Sequence, residues 1–349
     1  MSGTKKTAVL VAGSWGTALA NVLADNGHAV CLWTRHPEQA EAINRHHRNE
    51  RYLGDAPLNP AIRATVSVEE ALEGAAMVLV AAPTSAMREV AGTMRPHLSA
   101  GTLVVHAAKG LEERTLKTMT DVLAEELPQV DPLSIGVLTG PSHAEEVIVR
   151  HPTTVVVAAR RIEAAEAAQD LLGNGYFRVY TNPDVTGAEI AGALKNVIAL
   201  AAGLSDGLGF GDNAKAALIT RGLAEIARIG KALGANPLTF AGLAGVGDLV
   251  VTCTSRHSRN YRAGFAVGRG KPLADVLAEM GMVVEGVKTT RAAVRLAERH
   301  RIDMPIARQL YSVLFEGKPP RAAVEDLMGR VQTRELEEIA RTSGEKWLR

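Results

Sequence analysis

The sequence predicts an α/β fold, with a doubly wound, largely parallel sheet in its first half and an all-helical domain in its second. Three observations carry this. First, short β-branched runs alternate with amphipathic stretches as far as Leu172, which is the signature of repeated strand–helix units. Second, those runs are apolar throughout rather than alternating, so the strands are covered on both faces. Third, after "FRVYTNP" (Phe177 to Pro183) the strand pattern stops and Ala/Leu/Gly-rich stretches of near-3.6 period take over. The expected domains are therefore 1–184, a doubly wound α/β sheet, and 185–349, helical.

The expected strands, in order, are Thr7 to Val11, Ala29 to Trp33, Met77 to Ala82, Thr102 to His106, Ile135 to Thr139 and Thr153 to Ala159. Helical spacing is expected near Thr17 to Asn26, Pro37 to Arg48, Ser85 to Met94, Thr115 to Leu127 and Ile162 to Leu172. In the second half, "LITRGLAEIARIGKALG", "PLADVLAEMG" and "KTTRAAVRLAERHR" each place their apolar residues on one helical face.

Composition narrows the function. The 349 residues exceed the usual size of a single core and favour two domains. Lys plus Arg (39) nearly balance Asp plus Glu (38), for a net charge of +1, so no basic excess points to nucleic acid or a membrane surface. The opening apolar run is too short for a signal peptide, and no stretch is expected to form a membrane span of roughly 20 apolar residues. Two cysteines, Cys31 and Cys253, make neither a disulfide framework nor a zinc site and fit a reducing cytoplasm. His46 and His47 are adjacent and face different sides of a helix, so no metal site is expected.

The first expected strand runs into "VAGSWGTALA". In a G-x-G-x-x-G dinucleotide turn, the glycines permit a tight bend, close approach to the pyrophosphate, and strand–helix packing. Gly13 and Gly16 fill the second and third glycine slots; Val11 fills the first. The turn is still expected to hold a dinucleotide on the helix N-terminus, with Val11 accommodated at negative φ. At the end of the second strand, Arg35 and His36 stand where NAD-preferring sites have an acid, which favours a 2′-phosphate and so NADPH.

Three later loops also follow strands, where ligands gather in open α/β sheets. They hold Lys109 as the one cation of "HAAKGLE", and Gly140, Ser142 and His143 in "LTGPSHAEE". In the second half, Lys195 is the only charge between Glu189 and Asp206. It lies on a face of small residues (Ala188, Ala191, Gly192, Ala199, Ala202) that lets a ligand or another backbone approach. Burial would lower its pKa into a range useful for proton transfer unless an acid pairs with it; a structural ion pair is the plainer alternative. Downstream come Asp248 in a glycine-rich loop and Ser258, Arg259 and Asn260 at a helix start, donors that suit a phosphate. Cys253 reads as a buried small residue rather than a nucleophile.

Together, "GSWGTALA", "AKG", "GPSHAEE", "GALKNVIALAAGLSDGLGFGDNAKAALITRGL", "GLAGVGDL", "CTSRHSRN" and "MVVEGV" resemble the bacterial NAD(P)-dependent glycerol-3-phosphate dehydrogenases. The resemblance implies a Rossmann-type N-terminal domain, an all-helical C-terminal domain, a homodimer, NADPH or NADH as cofactor, and reduction of dihydroxyacetone phosphate to glycerol 3-phosphate for phospholipid synthesis. It implies Lys195 as the proton donor, Lys109 and Asp248 flanking the reacting oxygen, and Gly140 and Ser142 lining the substrate. Ser258, Arg259 and Asn260 would grip the phosphate. Ser14, Trp15, Arg35, His36, Lys109, Ala144, Arg259, Val283 and Glu285 would contact the cofactor. The chain departs from that family at Val11, where glycine is usual, and at Arg35–His36, where the order is usually reversed. A β-hydroxyacid or ketopantoate reductase would not require the Ser-Arg-Asn grip, and a non-catalytic NADPH sensor would not require Lys109, Lys195 and Asp248 together.

Overall fold

A computed structural model of the chain describes residues 4–281 and 283–332; the end of the expected helical domain, 333–349, and Met282 of "MVVEGV" lie outside the described residues. The chain divides into two compact units. Of the described residues, the first takes 4–109 together with Lys117–Val185, and the second takes Gly110–Leu116 and those from Thr186 onward.

The first unit is an eight-stranded sheet: β1 (Lys6–Leu10), β2 (Ala29–Trp33), β3 (Ile62–Thr65), β4 (Met77–Val80), β5 (Leu103–His106), β6 (Gly136–Thr139), β7 (Thr153–Ala159) and β8 (Phe177–Asn182). Their order is β3-β2-β1-β4-β5-β6-β7-β8. All pairs are parallel except β6 with β7. Its helices are α1 (Ser14–Asp25), α2 (Pro37–His46), α3 (Glu50–Leu53), α4 (Val68–Leu72), α5 (Met87–Met94), α6 (Met119–Glu126), α7 (Ala144–Val147) and α8 (Ile162–Leu172).

Alternate side chains of the central strands feed two separate cores. Val9, Leu32, Met77, Leu79 and Val105 join one cluster, with Leu19 and Leu23 of α1. Leu10, Cys31, Val78, Val80 and Val104 join the other, with Met87, Met94 and Met119. Burial on both faces is why these strands read as unbroken apolar runs. The strand order reverses between β1 and β4, and in such sheets ligands bind at the carboxyl ends beside that switch point. The expected doubly wound fold is therefore present. The sequence reading missed β3 and β8. β3 is four residues with an exposed arginine, and β8 alternates buried and exposed positions ahead of Pro183, so neither gives a long apolar run.

The second unit is helical: α9 (Val185–Gly207), α10 (Asp212–Ala232), α11 (Pro237–Phe240), α12 (Asp248–Thr254), α13 (Arg259–Gly268), α14 (Leu273–Met280), α15 (Glu285–His300), α16 (Pro305–Phe315) and α17 (Pro320–Met328). Among the described residues α9 is the one helix long and apolar enough to cross a bilayer, which amends the expectation that no stretch reaches that length. It is a core helix instead: 94% of its apolar window is buried within the protein, and it carries Glu189, Lys195 and Asn196, all buried.

The close fit of α9 to α13 comes from glycine. A Cβ on Gly203 would sit 2.0 Å from the carbonyl oxygen of Tyr261, and one on Gly264 would sit 2.0 Å from that of Leu200. Only hydrogen fits on either side, so these two backbones touch along the seam. Tyr261 Oη donates to Asp206 Oδ2 at 2.5 Å, and Lys215 Nζ lies 2.7 Å from the same oxygen, which ties α9, α10 and α13 at one end.

Candidate functional site

The dinucleotide turn links β1 to α1 through Val11, Ala12 and Gly13. Val11 has φ +79°, which corrects the expectation of a negative φ: the left-handed conformation falls on the β-branched residue in the first glycine slot. The cause is local. Val11 N–H donates to Trp33 O (3.0 Å), so the residue stays on the β1–β2 ladder, while its carbonyl accepts from Gly13 N–H (2.9 Å). That carbonyl also sits where a Cβ on Gly16 would fall, 2.2 Å away. A chain leaving the ladder and folding α1 back onto it within three residues needs a bend that negative φ does not give. Gly13, at φ −78°, is the N-cap of α1.

These residues fit a dinucleotide. A Cβ on Gly13 would meet nothing within 4 Å, so that side of the turn is open. α1 starts with no side-chain cap and no acid in its first turn, which leaves backbone N–H groups and the positive dipole end for an anion. Ser14 Oγ donates to Tyr52 O at 3.2 Å. The indole Nε1–H of Trp15 is buried without a hydrogen-bond partner among the described residues. At the end of β2, Arg35 is exposed, and His36, the N-cap of α2, lies 3.5 Å from the Glu38 carboxylate.

At the ends of β5 and β6 the structure brings three expected residues together. Lys109 Nζ donates to Gly140 O (2.9 Å), and Ser142 Oγ donates to the same carbonyl (2.8 Å). Gly140 has φ +119°, a conformation that favours glycine. Ala144 opens the short helix α7, and His143 is its N-cap residue.

In the helical unit, Lys195 of α9 is 5% exposed and forms an ion pair with Asp248, the first residue of α12, which is 1% exposed. Its Nζ also donates to Thr252 Oγ1 at 2.8 Å, and Thr252 Oγ1 donates to Asp248 O at 2.5 Å. The acid that the sequence reading left open is therefore Asp248. The ammonium is fixed by two partners one helical turn apart on α12, a geometry that a solvated lysine never holds.

Next to it, Asn196 Oδ1 accepts from Asn260 Nδ2 (2.8 Å), and Asn260 Oδ1 accepts from Gly286 N–H (2.8 Å). Asn260 thus binds the starts of α13 and α15 to the lysine helix, placing Glu285 and Val283 at the same end as Ser258 and Arg259. Ser258 Oγ caps α13 by accepting from Tyr261 N–H (3.2 Å); Arg259 is exposed beside it. Cys253 is buried, which pushes its thiol up to about 12 and makes it a poor nucleophile.

Four polar residues in these networks escaped the sequence reading. Thr252 had a signal, standing four residues after Asp248, and Asn196 is the polar neighbour of the lone lysine. Gln39 and Asn49, whose amides hold the Ala12 carbonyl at 2.7 and 3.0 Å, had none, because their partner is a backbone atom far away in sequence.

Residues 6–165 match the family described as NAD-dependent glycerol-3-phosphate dehydrogenase N-terminus, and residues 184–325 match the corresponding C-terminus family. A glycerol-3-phosphate dehydrogenase [NAD(P)+] of Bacillus velezensis is 56% identical over 338 residues, covering 97% of this chain and 98% of its own. One from Bacillus cytotoxicus is 57% identical over 334 residues, covering 96% and 98%. The crystal structure of glycerol-3-phosphate dehydrogenase from Coxiella burnetii superposes with a TM-score of 0.89 at 39% identity, covering 94% of this chain and 99% of that one. A ketopantoate reductase from Ralstonia eutropha, at 18% identity and TM-score 0.57, shares the fold alone.

Proposed function

The chain belongs to the NAD-dependent glycerol-3-phosphate dehydrogenase family, and on that premise we propose that it interconverts dihydroxyacetone phosphate and sn-glycerol 3-phosphate with NADPH or NADH. The observation that carries this is the Lys195–Asp248–Thr252 cluster: a cation held in an apolar helix by two aimed partners. Burying such a pair costs desolvation that an apolar core would not incur, so its retention favours a chemical role.

A coenzyme held there would supply the hydride that C2 of the ketone accepts. Lys195 Nζ gives its proton to the ketone oxygen, and in reverse takes one from the C2 hydroxyl. Asp248 and Thr252 orient that ammonium, and the carboxylate favours its recharging from water after the transfer. Lys109, Gly140 and Ser142 line the substrate from their shared carbonyl hub. Arg259 and the start of α13 hold the phosphate by charge-assisted hydrogen bonds, with Ser258 contributing its hydroxyl and Asn260 fixing the helix start.

On the coenzyme side, the turn at Gly13 and Gly16 with Ser14 and Trp15 receives the pyrophosphate. Arg35 and His36 face the adenosine ribose, and Lys109, Ala144, Arg259, Val283 and Glu285 complete the set. With no acid on β2's end, NADPH serves at least as well as NADH. Glycerol 3-phosphate made this way supplies glycerophospholipid synthesis in the cytoplasm, by a homodimer.

The test is coenzyme oxidation with dihydroxyacetone phosphate, NADPH and NADH being compared, and ketopantoate as control. Turnover of the phosphorylated ketone and little or none of ketopantoate is expected. The reverse preference would refute the assignment.

A further inference from the structure

The strained turn at Val11 has a dedicated restraint. A non-glycine residue in a sparsely populated conformation persists only where its surroundings over-determine it, and here two side-chain amides add to the backbone bonds of Val11 with Trp33 and Gly13. Gln39 Nε2 donates to Ala12 O at 2.7 Å, and Asn49 Nδ2 donates to the same oxygen at 3.0 Å. The amides also bind each other, Gln39 Nε2 to Asn49 Oδ1 at 3.1 Å. Asn49 Nδ2 reaches Thr17 Oγ1 on α1 at 2.7 Å, and Thr34 Oγ1 donates to Gln39 Oε1 at 2.6 Å. Asn49 is 2% exposed, so its bonds face no competition from water. The network anchors one carbonyl of the turn to the start of α1, to the end of β2 and to α2, whose first turn follows Arg35.

We propose that Gln39 and Asn49 are positioning residues for the coenzyme, a clamp that holds Val11 left-handed and so keeps the turn in the shape that receives the pyrophosphate. This rests on the reading of the turn as the coenzyme site. Neither residue need touch the coenzyme; both act through Ala12. A chain with glycine in the first slot of the turn adopts the same conformation without restraint. The need for the clamp therefore arises from this chain's valine, and the two should be energetically coupled.

A double-mutant cycle reads that coupling. NADPH is titrated by calorimetry into the wild type, Gln39→Met, Val11→Gly and the double variant, each as the full chain. Gln39→Met is expected to weaken NADPH about tenfold in the wild-type background. In the Val11→Gly background it should weaken binding about twofold or less, with kcat at saturating NADPH within about twofold of its parent in both backgrounds. Asn49→Asp, which puts an acceptor where the donor stood, is measured in the same cycle and covers any failure of Gln39→Met to fold. Equal losses in the two backgrounds would overturn the proposal, since the amides would then act independently of the strain. So would undiminished binding in both single amide variants. A wild type that binds no NADPH would instead refute the coenzyme reading of the turn itself.

Discussion

The two units build their parts of the chemistry from different materials. In the proposed reading, the sheet unit contributes backbone: N–H groups at the start of α1, a carbonyl at Gly140 shared by Lys109 and Ser142, and a bend whose shape lies in the φ of Val11. In the same reading the helical unit contributes side chains: Lys195, Asp248 and Thr252 buried together, and Arg259 at a capped helix start. A backbone site keeps its reacting atoms when a side chain changes and loses only what holds its shape. A side-chain site has no such reserve, because the atom removed is the one that acts.

The largest expected effect tests the side-chain half. Lys195→Met should cut turnover by about 10²-fold or more, as loss of a general acid does. The same change takes the cation away from buried Asp248, 1% exposed, so stability should fall by about 3–5 kcal/mol. Adding Asp248→Asn should restore most of the melting temperature and none of the turnover. Recovery of turnover in the double variant would show that the pair serves the fold alone.

Arg259→Ala comes next. It removes a charge-assisted contact of roughly 1.5–3 kcal/mol, so kcat/KM for dihydroxyacetone phosphate should fall at least about tenfold. Unphosphorylated dihydroxyacetone should be nearly unaffected. Equal losses on both ketones would move Arg259 from the phosphate to the coenzyme alone.

The same contrast explains what could be read from the sequence. Lys195 was legible because a charge in an apolar helix costs so much that its presence demands a reason. The doubly wound sheet was legible because β1, β2, β4 and β7 are buried on both faces. Gln39 and Asn49 were illegible: each is an ordinary polar residue near the start of a helix, and its carbonyl partner leaves no mark in the sequence. The φ of Val11 was misjudged for the same reason. Side-chain preference argues for negative φ, and the ladder bond to Trp33, the closeness of Gly16 and the amides on the Ala12 carbonyl reverse that argument.

A second buried carboxylate in the helical unit sharpens the comparison from within. Where Asp248 faces a lysine, Glu225 of α10 accepts from the backbone N–H groups of Ile306 (2.6 Å) and Ala307 (3.3 Å) at the start of α16. Burial pushes its pKa up from 4.5 to about 7, against the opposing pull of those N–H groups. A raised folded pKa means the folded state holds the proton more tightly. This contribution to stability is therefore complete below the ordinary pKa and is lost as pH rises through the folded value of about 7. Each pH unit in that window weighs about 1.4 kcal/mol. Melting curves at pH 5, 6, 7 and 8 should show the wild type losing more stability with rising pH than Glu225→Gln. Parallel curves would show that Glu225 does not titrate in this range.

The smallest expected effect belongs to the backbone half. Val11→Gly relieves a left-handed β-branched residue, worth about 1–2 kcal/mol. It also frees the unfolded chain, at about 0.5–1 kcal/mol, and gives up the packing of Val11 against the cluster that holds Val80 and Ala82. These terms nearly cancel, so the coenzyme-free variant should melt within a few degrees of wild type. NADPH should bind equally or up to about tenfold more tightly, because the turn no longer opposes its own shape. With saturating NADPH, kcat should not change, since Lys195 and its partners lie in the other unit and act through side chains that the substitution leaves alone. A glycine variant that binds NADPH distinctly more weakly would mean that stiffness at Val11 preorganises the turn, and that the strain argument is wrong.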